Sequence, residues 1–198
     1  KYDGTIGCWG QNTWEQVSQV PEGEFRQVAV GSHNGCAIDT EGALQCWGYD
    51  NNGQVSDTPG GTFIQVGTGE WYSCALDTDG AISCWGESGY YDDRSSGAPD
   101  GTFVQLAVGQ NHACAIDVDG YAHCWGANDD GSAEPPLGRF VQIGAGANFS
   151  CVLDAQGEVR CWGDDGDGEV SDAPEGSFAQ LAVGLYNACV LDDEGAIT

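Results

Sequence analysis

The triplet Cys-Trp-Gly recurs five times along the chain, beginning at residues 8, 46, 84, 124 and 161. Successive copies are therefore 38, 38, 40 and 37 residues apart. A period of this length is typical of repeat proteins, in which each copy forms one small unit and neighbouring units bury their apolar faces together. The spacing predicts that residues 1–198 form one repeat domain of about five similar units, or part of a longer array of them.

Each unit contains three apolar runs of strand length with turn residues between them. In the third unit the runs are 103–109, 111–117 and 121–126, and glycine ends the first and third of them. Short runs rich in β-branched and aromatic residues, bounded by such turns, indicate strands. Because no segment shows the longer period of an amphipathic helix, the sequence predicts an all-β fold.

A second series of cysteines lies ten residues before the cysteine of each later triplet. In the first such pair, residues 40–42 are expected to form a three-residue hairpin loop, with Gly42 in the left-handed conformation. Asp39 then pairs with Ala43, and Cys36 lies directly opposite Cys46, close enough to bridge. The same spacing predicts four disulfides: Cys36–Cys46, Cys74–Cys84, Cys114–Cys124 and Cys151–Cys161.

Cys8 and Cys189 have no partner inside their own units, because the sequence begins and ends within a unit. In one interpretation the units close into a ring and Cys8 bridges Cys189, although residues 4–7 and 195–198 then compete for one strand position. In a second, the array continues at both ends. In a third, the end of one chain completes a unit of its neighbour, which would propagate a head-to-tail filament.

Charge excludes several classes of partner. Five Lys and Arg face 31 Asp and Glu, giving a formal net charge of −26. Nucleic-acid binding and attraction to anionic membranes both require basic groups, and no apolar run is long enough to span a bilayer. The acidity favours cations or a basic partner. Ten cysteines at regular spacing, without a CxxC pair, indicate disulfides and a secreted or extracellular location.

The repeat also resembles a known family. Residues 28–48 run Val-Ala-Val-Gly, then Cys-Ala-Ile-Asp, then Cys-Trp-Gly, and this order is similar to the regulator of chromosome condensation repeat, in its short bacterial form. The resemblance covers nearly the whole chain and implies a β-propeller with one blade per repeat. The expected fold is therefore an all-β propeller of about five blades of about 38 residues, each with a cross-strand disulfide, in a single domain over 1–198.

The loop before the first cysteine of each pair varies and is rich in aromatic residues. In a propeller these loops meet at one end of the axis, and the resemblance implies that they bind a protein partner, as in bacterial inhibitors of this family. His33 and His112 are taken to hold matching loop positions. The alternative is that these side chains only cover blade edges. The predicted binding residues are Trp71, Tyr72, Asn111, His112, Phe149 and Tyr186.

The loop after each Cys-Trp-Gly is acidic, as in residues 91–93 and 164–169. Oxygen-rich loops suit calcium, and Asp165, Asp167 and Glu169 are the candidate ligands. Asp and Asn also favour turns for purely local reasons, so the loops have a structural interpretation as well. The sequence therefore predicts no cofactor, and calcium is the one alternative that it offers.

The repeated tryptophans are expected to pack between blades, since a large ring buries much apolar area. They are Trp9, Trp47, Trp85, Trp125 and Trp162.

No nucleophile with a positioned base is apparent, so the sequence predicts a protein that is not an enzyme. The predicted function is a secreted or cell-surface scaffold that binds another macromolecule through variable blade loops. The alternative is a structural subunit of an extracellular filament or surface layer.

Overall fold

The structure is a computed structural model that describes residues 4–87, 96–192 and 194–198. These residues form antiparallel β-sheets and no helix, so none of them lies in a helix that could cross a membrane. In chain order the strands are β1 (Phe25–Val30), β2 (Asn34–Asp39), β3 (Leu44–Gly48), β4 (Phe63–Thr68), β5 (Tyr72–Asp77), β6 (Ile82–Gly86), β7 (Phe103–Val108), β8 (His112–Asp117), β9 (Ala122–Gly126), β10 (Phe140–Ala145), β11 (Phe149–Asp154), β12 (Val159–Gly163), β13 (Phe178–Val183) and β14 (Ala188–Asp192).

The strands group into five sheets in the order of the repeats. Four sheets are three-stranded meanders, and the fifth consists of β13 and β14, with a single bridge from Ile197 to Leu191. This arrangement confirms the predicted all-β repeat fold, with one small sheet, or blade, for each repeat. The first strand of each blade is irregular in the same place, between the first and third residues, as between Phe25 and Gln27.

The hairpin between the second and third strands confirms the predicted register. Cys36 lies opposite Cys46 and Ile38 opposite Leu44, and Gly42 has a φ of 96°. The Asp39 carboxylate accepts hydrogen bonds from the main-chain N–H groups of Glu41 and Ala43, which holds the turn. The four predicted disulfides are present, with Cα–Cα distances between 4.0 and 4.1 Å.

Cys8 and Cys189 are not bonded to each other, so the ring-closing disulfide is wrong for this structure. The physical reason is that the two ends of the described chain pair with different strands. Thr198 exchanges two main-chain hydrogen bonds with Val190 along the edge of β14, where residues 4–8 would have to pair. Residues 4–8 instead start beside β1, where the carbonyl of Gly4 accepts a hydrogen bond from the N–H of Phe25.

The hydrophobic core lies between successive blades rather than within one blade. One cluster joins Cys36 and Ile38 of β2 to Phe63 and Val66 of β4, and all four side chains are at most 3% exposed. Equivalent clusters join β5 to β7 and β8 to β10. Each blade therefore depends on the next blade to bury its apolar face.

A glutamine in each of β1, β4, β7 and β10 links its blade to the next one through hydrogen bonds. The Gln65 side chain donates to the carbonyl of Leu106 and accepts from the N–H of the same residue. Gln27 makes the same pair of bonds with Val66. A single amide side chain thus replaces the main-chain ladder that would otherwise stop at the blade edge.

The repeated tryptophans fill the space between blades, as predicted, in four of the five units. Trp47, Trp85 and Trp125 are at most 5% exposed and Trp162 is partly buried. The indole N–H groups of Trp47 and Trp85 donate to carbonyls in the long loop of the preceding unit, on Gln16 and Gln54. Trp9 departs from the prediction and is 88% exposed, because no described unit precedes it.

The first strands of all five blades surround a common central cleft of about 300 Å³. A glycine directly follows each first strand, and in the first four blades it lies against the main chain of the next blade. A Cβ at Gly31 would overlap the carbonyl oxygen of Gly69, and one at Gly109 would overlap that of Gly146. These glycines are required because they let the main chains of adjacent blades touch.

Candidate protein-binding surface

The loops between the first and second strands lie together at one end of the blades. The strand registers show which residues correspond, since Asn34, Tyr72, His112 and Phe149 each oppose the glycine of Cys-Trp-Gly. His112 therefore opens a strand, whereas His33 belongs one position earlier, in the loop. The expectation that His33 and His112 match is wrong by one residue. The residues that correspond to His33 are Trp71, Asn111, Asn148 and Tyr186.

Three of the predicted binding residues are buried and cannot contact a partner. Tyr72 and His112 are 0% exposed and Phe149 is 1% exposed. Each is the first residue of a second strand, so its side chain points between blades instead of outwards. The Tyr72 hydroxyl donates to the carbonyl of His112 at 2.6 Å and lies 3.1 Å from the carbonyl of Gly109, and thereby ties its blade to the next one.

His112 illustrates the structural role of this position. Its Nε2 lies 2.7 Å from the Ser150 hydroxyl of the next blade. Burial lowers the pKa of His112 to about 4, against a smaller opposing effect of the Ala147 main chain, so the ring is neutral at neutral pH. Asn34 holds the same place in the first blade, where its amide donates to Ser73 at 3.1 Å.

The other three predicted residues do reach the surface. Tyr186 is 65% exposed, and Trp71 and Asn111 are partly exposed. Trp71 contacts other aromatic side chains, and these are not among the predicted binding residues.

Four aromatic rings form a continuous cluster on the first two blades, which we call the aromatic patch. Its members are Trp14, His33, Tyr49 and Trp71. His33 stacks on Trp71 with ring centroids 4.2 Å apart and an interplanar angle of 13°. Tyr49 packs edge-on against Trp71 at 5.3 Å and against Trp14 at 5.0 Å. Trp14 is 42% exposed, and the other three rings are partly exposed.

Main-chain hydrogen bonds bring these residues together. The N–H of Tyr49, the residue after Cys-Trp-Gly, donates to the carbonyl of His33. His33 Nδ1 lies 3.4 Å from the carbonyl of Glu70, which precedes Trp71. The same main-chain bond joins Ala127 to Asn111 in the third blade, where neither residue is aromatic. The main-chain scaffold is thus common to the blades, and the clustered rings lie on this part of it, whereas Tyr186 is an exposed ring at the corresponding place on the fifth blade.

Trp14 reaches the aromatic patch from the loop before the first blade. This loop has the same form as the acidic loops, because Asn12, Asp50 and Asp165 each accept N–H groups five and six residues further on. Trp14 holds the place that Asn52 and Asp167 hold in the other loops.

The candidate calcium ligands have hydrogen-bonding roles in this shared loop form, and calcium binding stays a prediction. Asp165 accepts hydrogen bonds from Val170 and Ser171, and Glu169 accepts one from the N–H of Asp167. In another copy of the loop a neutral side-chain amide makes the corresponding contact, because Gln54 accepts a hydrogen bond from the N–H of Asn52. In the ranges that the structure describes, no three Asp, Glu, His or Cys side chains are grouped to hold a metal ion. Residues 91–93 lie outside those ranges.

The main-chain N–H groups of Ser171 and Val170 also lower the pKa of Asp165, so this carboxylate stays ionised while it holds its loop.

The loop that carries Trp14 contains a strained residue. Glu15 has a φ of 64°, where Gly53, Gly131 and Gly168 hold the corresponding places with φ between 76° and 88°. A non-glycine residue in the left-handed region costs about 1 kcal/mol or more. Such strain is concentrated at functional sites in proteins, and here it lies next to the exposed Trp14.

We expect Glu15→Gly to raise the free energy of unfolding by about 1 kcal/mol, because it relieves this strain. Denaturant unfolding of the intact chain measures the change. Gly131→Ala is the matched control, since no atom lies within 4 Å of the added Cβ and only the positive φ of 76° opposes it. It should lower stability by a similar amount. If both substitutions leave the midpoint unchanged, the loop carries no strain.

Comparison with known proteins places the fold in a family. The model of the regulator of chromosome condensation (RCC1) repeat matches residues 25–54, 63–91, 103–132 and 140–169, which together make up more than half of the chain. The chain belongs to the RCC1 repeat family. No curated protein sequence matches it significantly.

Solved structures with the same fold come from several settings. The RCC1-repeat chain is 26% identical to the ectodomain of the Physcomitrella patens receptor kinase CR4, with a TM-score of 0.76 over 96% of this chain and 54% of that one. It is 24% identical to the ectodomain of the Arabidopsis thaliana receptor kinase ACR4, with a TM-score of 0.76 over 96% of this chain and 69% of that one. It is 18% identical to Prp20p of Saccharomyces cerevisiae, described with its binding to Gsp1p and histones, with a TM-score of 0.72 over 88% of this chain and 56% of that one. The chain thus spans between about half and two thirds of these proteins.

Proposed function

We propose that this RCC1-repeat protein is a non-catalytic scaffold that acts outside the cell and binds a protein partner through the aromatic patch. The observation that carries the proposal is the cluster of four partly exposed rings at one end of the blades. Tryptophan and tyrosine are the residues most enriched among those that dominate protein–protein binding energy. Rigid blades hold these rings in place before binding, which reduces the entropy lost on association.

The extracellular setting is supported by the disulfides. One bridge in each of four blades is a pattern of proteins that fold under oxidising conditions. Two of the structural neighbours are ectodomains of plant receptor kinases, so the fold is used outside the cell elsewhere.

The non-catalytic role is supported by how the reactive side chains are engaged. His112 is buried between blades, and His123 Nε2 lies 2.8 Å from the carboxylate of Asp117 in the adjacent hairpin. Eight cysteines are bonded in pairs within the blades. These groups all stabilise the propeller, which leaves surface recognition as the function that the geometry supports best.

The test is capture of the partner from the extracellular fraction of the source organism with two matched variants. Tyr49→Ala/Trp71→Ala removes two rings of the aromatic patch, whereas Asn111→Ala/Asn148→Ala alters the loop positions that correspond to Trp71 in later blades. We expect the first variant to weaken binding at least tenfold and the second to leave it unchanged, since buried aromatic anchors contribute about 2 kcal/mol or more each.

Equal capture by both variants would contradict the proposal. Thermal melting of both variants must first show that they remain folded. Self-assembly into a filament stays a prediction, and sedimentation of the intact chain tests it.

A further inference from the structure

Acidic residues flank the aromatic patch in sequence. Glu15 follows Trp14, Asp50 follows Tyr49, and Glu70 precedes Trp71. Glu15 and Asp50 are exposed and Glu70 is partly exposed. Slight burial raises the pKa of Asp50, but hydrogen bonds from Ser56 and Val55 outweigh it, so the net shift is downwards and the carboxylate stays charged. Three negative charges therefore accompany the four rings.

The positive charges of the described residues lie at the other end of the blades. Arg26 donates to the carbonyl of Phe63, at the start of a first strand. Arg139 packs over Tyr121 of a hairpin, and Arg160 lies near the carboxylates of Asp154 and Glu158. In the parts of the chain that the structure describes, no Lys or Arg therefore neutralises the loop end that carries the aromatic patch.

Aromatic faces and carboxylates attract the same class of ligand. The face of an indole or phenol ring has a negative quadrupole potential and attracts ammonium and guanidinium groups. Neighbouring carboxylates add Coulomb attraction, and a net charge of −26 draws cationic partners and repels acidic ones before contact. Rings alone would accept any apolar partner, whereas rings among uncompensated carboxylates select cationic ones.

We infer that the aromatic patch binds Lys or Arg side chains of a basic segment in the partner protein. This inference rests on the proposed function and adds the chemistry of the partner to it. It also places the site on the first two blades, where the rings cluster. At the corresponding place on the third and fourth blades, Asn111, Ala127 and Asn148 offer no ring face.

The experiment measures binding of short synthetic peptides to the intact chain by calorimetry. Four peptides of equal length carry arginine, lysine, glutamate or norleucine at alternate positions, with serine between them. We expect the arginine and lysine peptides to bind and the glutamate peptide not to bind. Norleucine has a similar aliphatic stem without the charge, so its peptide should bind at least tenfold more weakly than the arginine peptide.

Two variants separate the rings from the charges. Tyr49→Ala/Trp71→Ala keeps the net charge and should weaken binding of the arginine peptide about tenfold. Glu15→Gln/Asp50→Asn/Glu70→Gln removes only the charges. Its replacements suit the fold, because Asn12 makes the same loop contacts as Asp50 and Gln110 corresponds to Glu70 in the next blade. It should also weaken binding about tenfold. In about 0.5 M NaCl diffuse attraction is screened, while the effect of removing the rings should persist.

Each outcome bears on one claim. If the arginine peptide binds the ring-deleted variant as tightly as the unmodified chain, attraction is spread over the acidic surface and the inference is overturned. If norleucine and arginine peptides bind equally, the aromatic patch selects apolar ligands and the inference also fails. Both results leave the proposed function intact, because that proposal depends on whether the natural partner is lost from the Tyr49→Ala/Trp71→Ala variant.

Discussion

Gly109→Ala is expected to lower the free energy of unfolding by about 3 kcal/mol, at the upper end of the usual cost of adding a methyl group to a packed interior. The added Cβ would overlap the carbonyl oxygen of Gly146 and lie 3.1 Å from the carbonyl oxygen of His112. Both oxygens belong to the main chain of packed blades, so neither can move aside as a flexible side chain would. Relief requires that two blades separate, which would also weaken the hydrogen bond from the N–H of Gln110 to Gly146.

The control for this prediction is Gly60→Ala. No atom lies within 4 Å of a Cβ at Gly60, and its φ lies outside the left-handed region. Alanine there should leave stability unchanged or raise it by up to about 1 kcal/mol, because it reduces the freedom of the unfolded chain. Denaturant unfolding of both variants gives the comparison. Similar midpoints for the two would show that the blades can separate at little cost, contrary to the close approach of their glycines.

The elements that local sequence predicted correctly are those that local interactions decide. The hairpin at residues 40–42 follows from one glycine and one carboxylate, since Asp39 accepts hydrogen bonds from the two N–H groups that the turn leaves free. Its length fixes the register, and the register places Cys36 opposite Cys46. Because the same turn residues and cysteine spacing recur in several repeats, each copy supports the interpretation of the others.

The predictions that were wrong concern which side chains face the next blade and which face solvent. Trp71 and Tyr72 are adjacent and both aromatic, yet Trp71 is partly exposed and Tyr72 is buried. Only the start of the strand separates them, and that boundary depends on a main-chain bond between Tyr72 and Gly69 at the blade edge. The one-residue error at His112 has the same origin, because a strand alternates its faces with every residue.

The aromatic patch could not be predicted because its members come from separate units. Trp14 and Trp71 are far apart in sequence, and both contact Tyr49 only through the packing of successive blades. One signal was available. Trp14-Glu15 replaces the polar-glycine pair that occurs at 52–53, 130–131 and 167–168, and a departure from the repeat at a glycine position indicates a role beyond folding.

Removal of the Cys114–Cys124 bridge is the second large effect that we expect. Cys114→Ala, Cys124→Ala and the double variant should each lower the free energy of unfolding by about 3 kcal/mol, because each one releases the same constraint on the unfolded chain. The bridge closes a sequence separation of 10 residues, and Cys114 is 0% exposed within a core cluster with Phe140 and Val152. The bridge joins two strands of the third blade, and the core cluster that it supports includes side chains of the fourth blade. We therefore expect its removal to destabilise the fourth blade as well.

The three variants form a double-mutant cycle that distinguishes the bridge from simple packing. If the bridge dominates, the double variant loses no more than either single variant, and the coupling is about equal to one single loss. If the two side chains contribute only by packing, the losses add, and the prediction is wrong. Val118→Ala in the same hairpin is the control, since Val118 is 61% exposed and its truncation should change stability by less than about 0.5 kcal/mol. Unfolding in urea under non-reducing conditions measures all four variants, and a reducing agent should abolish the difference between the unmodified chain and the double variant.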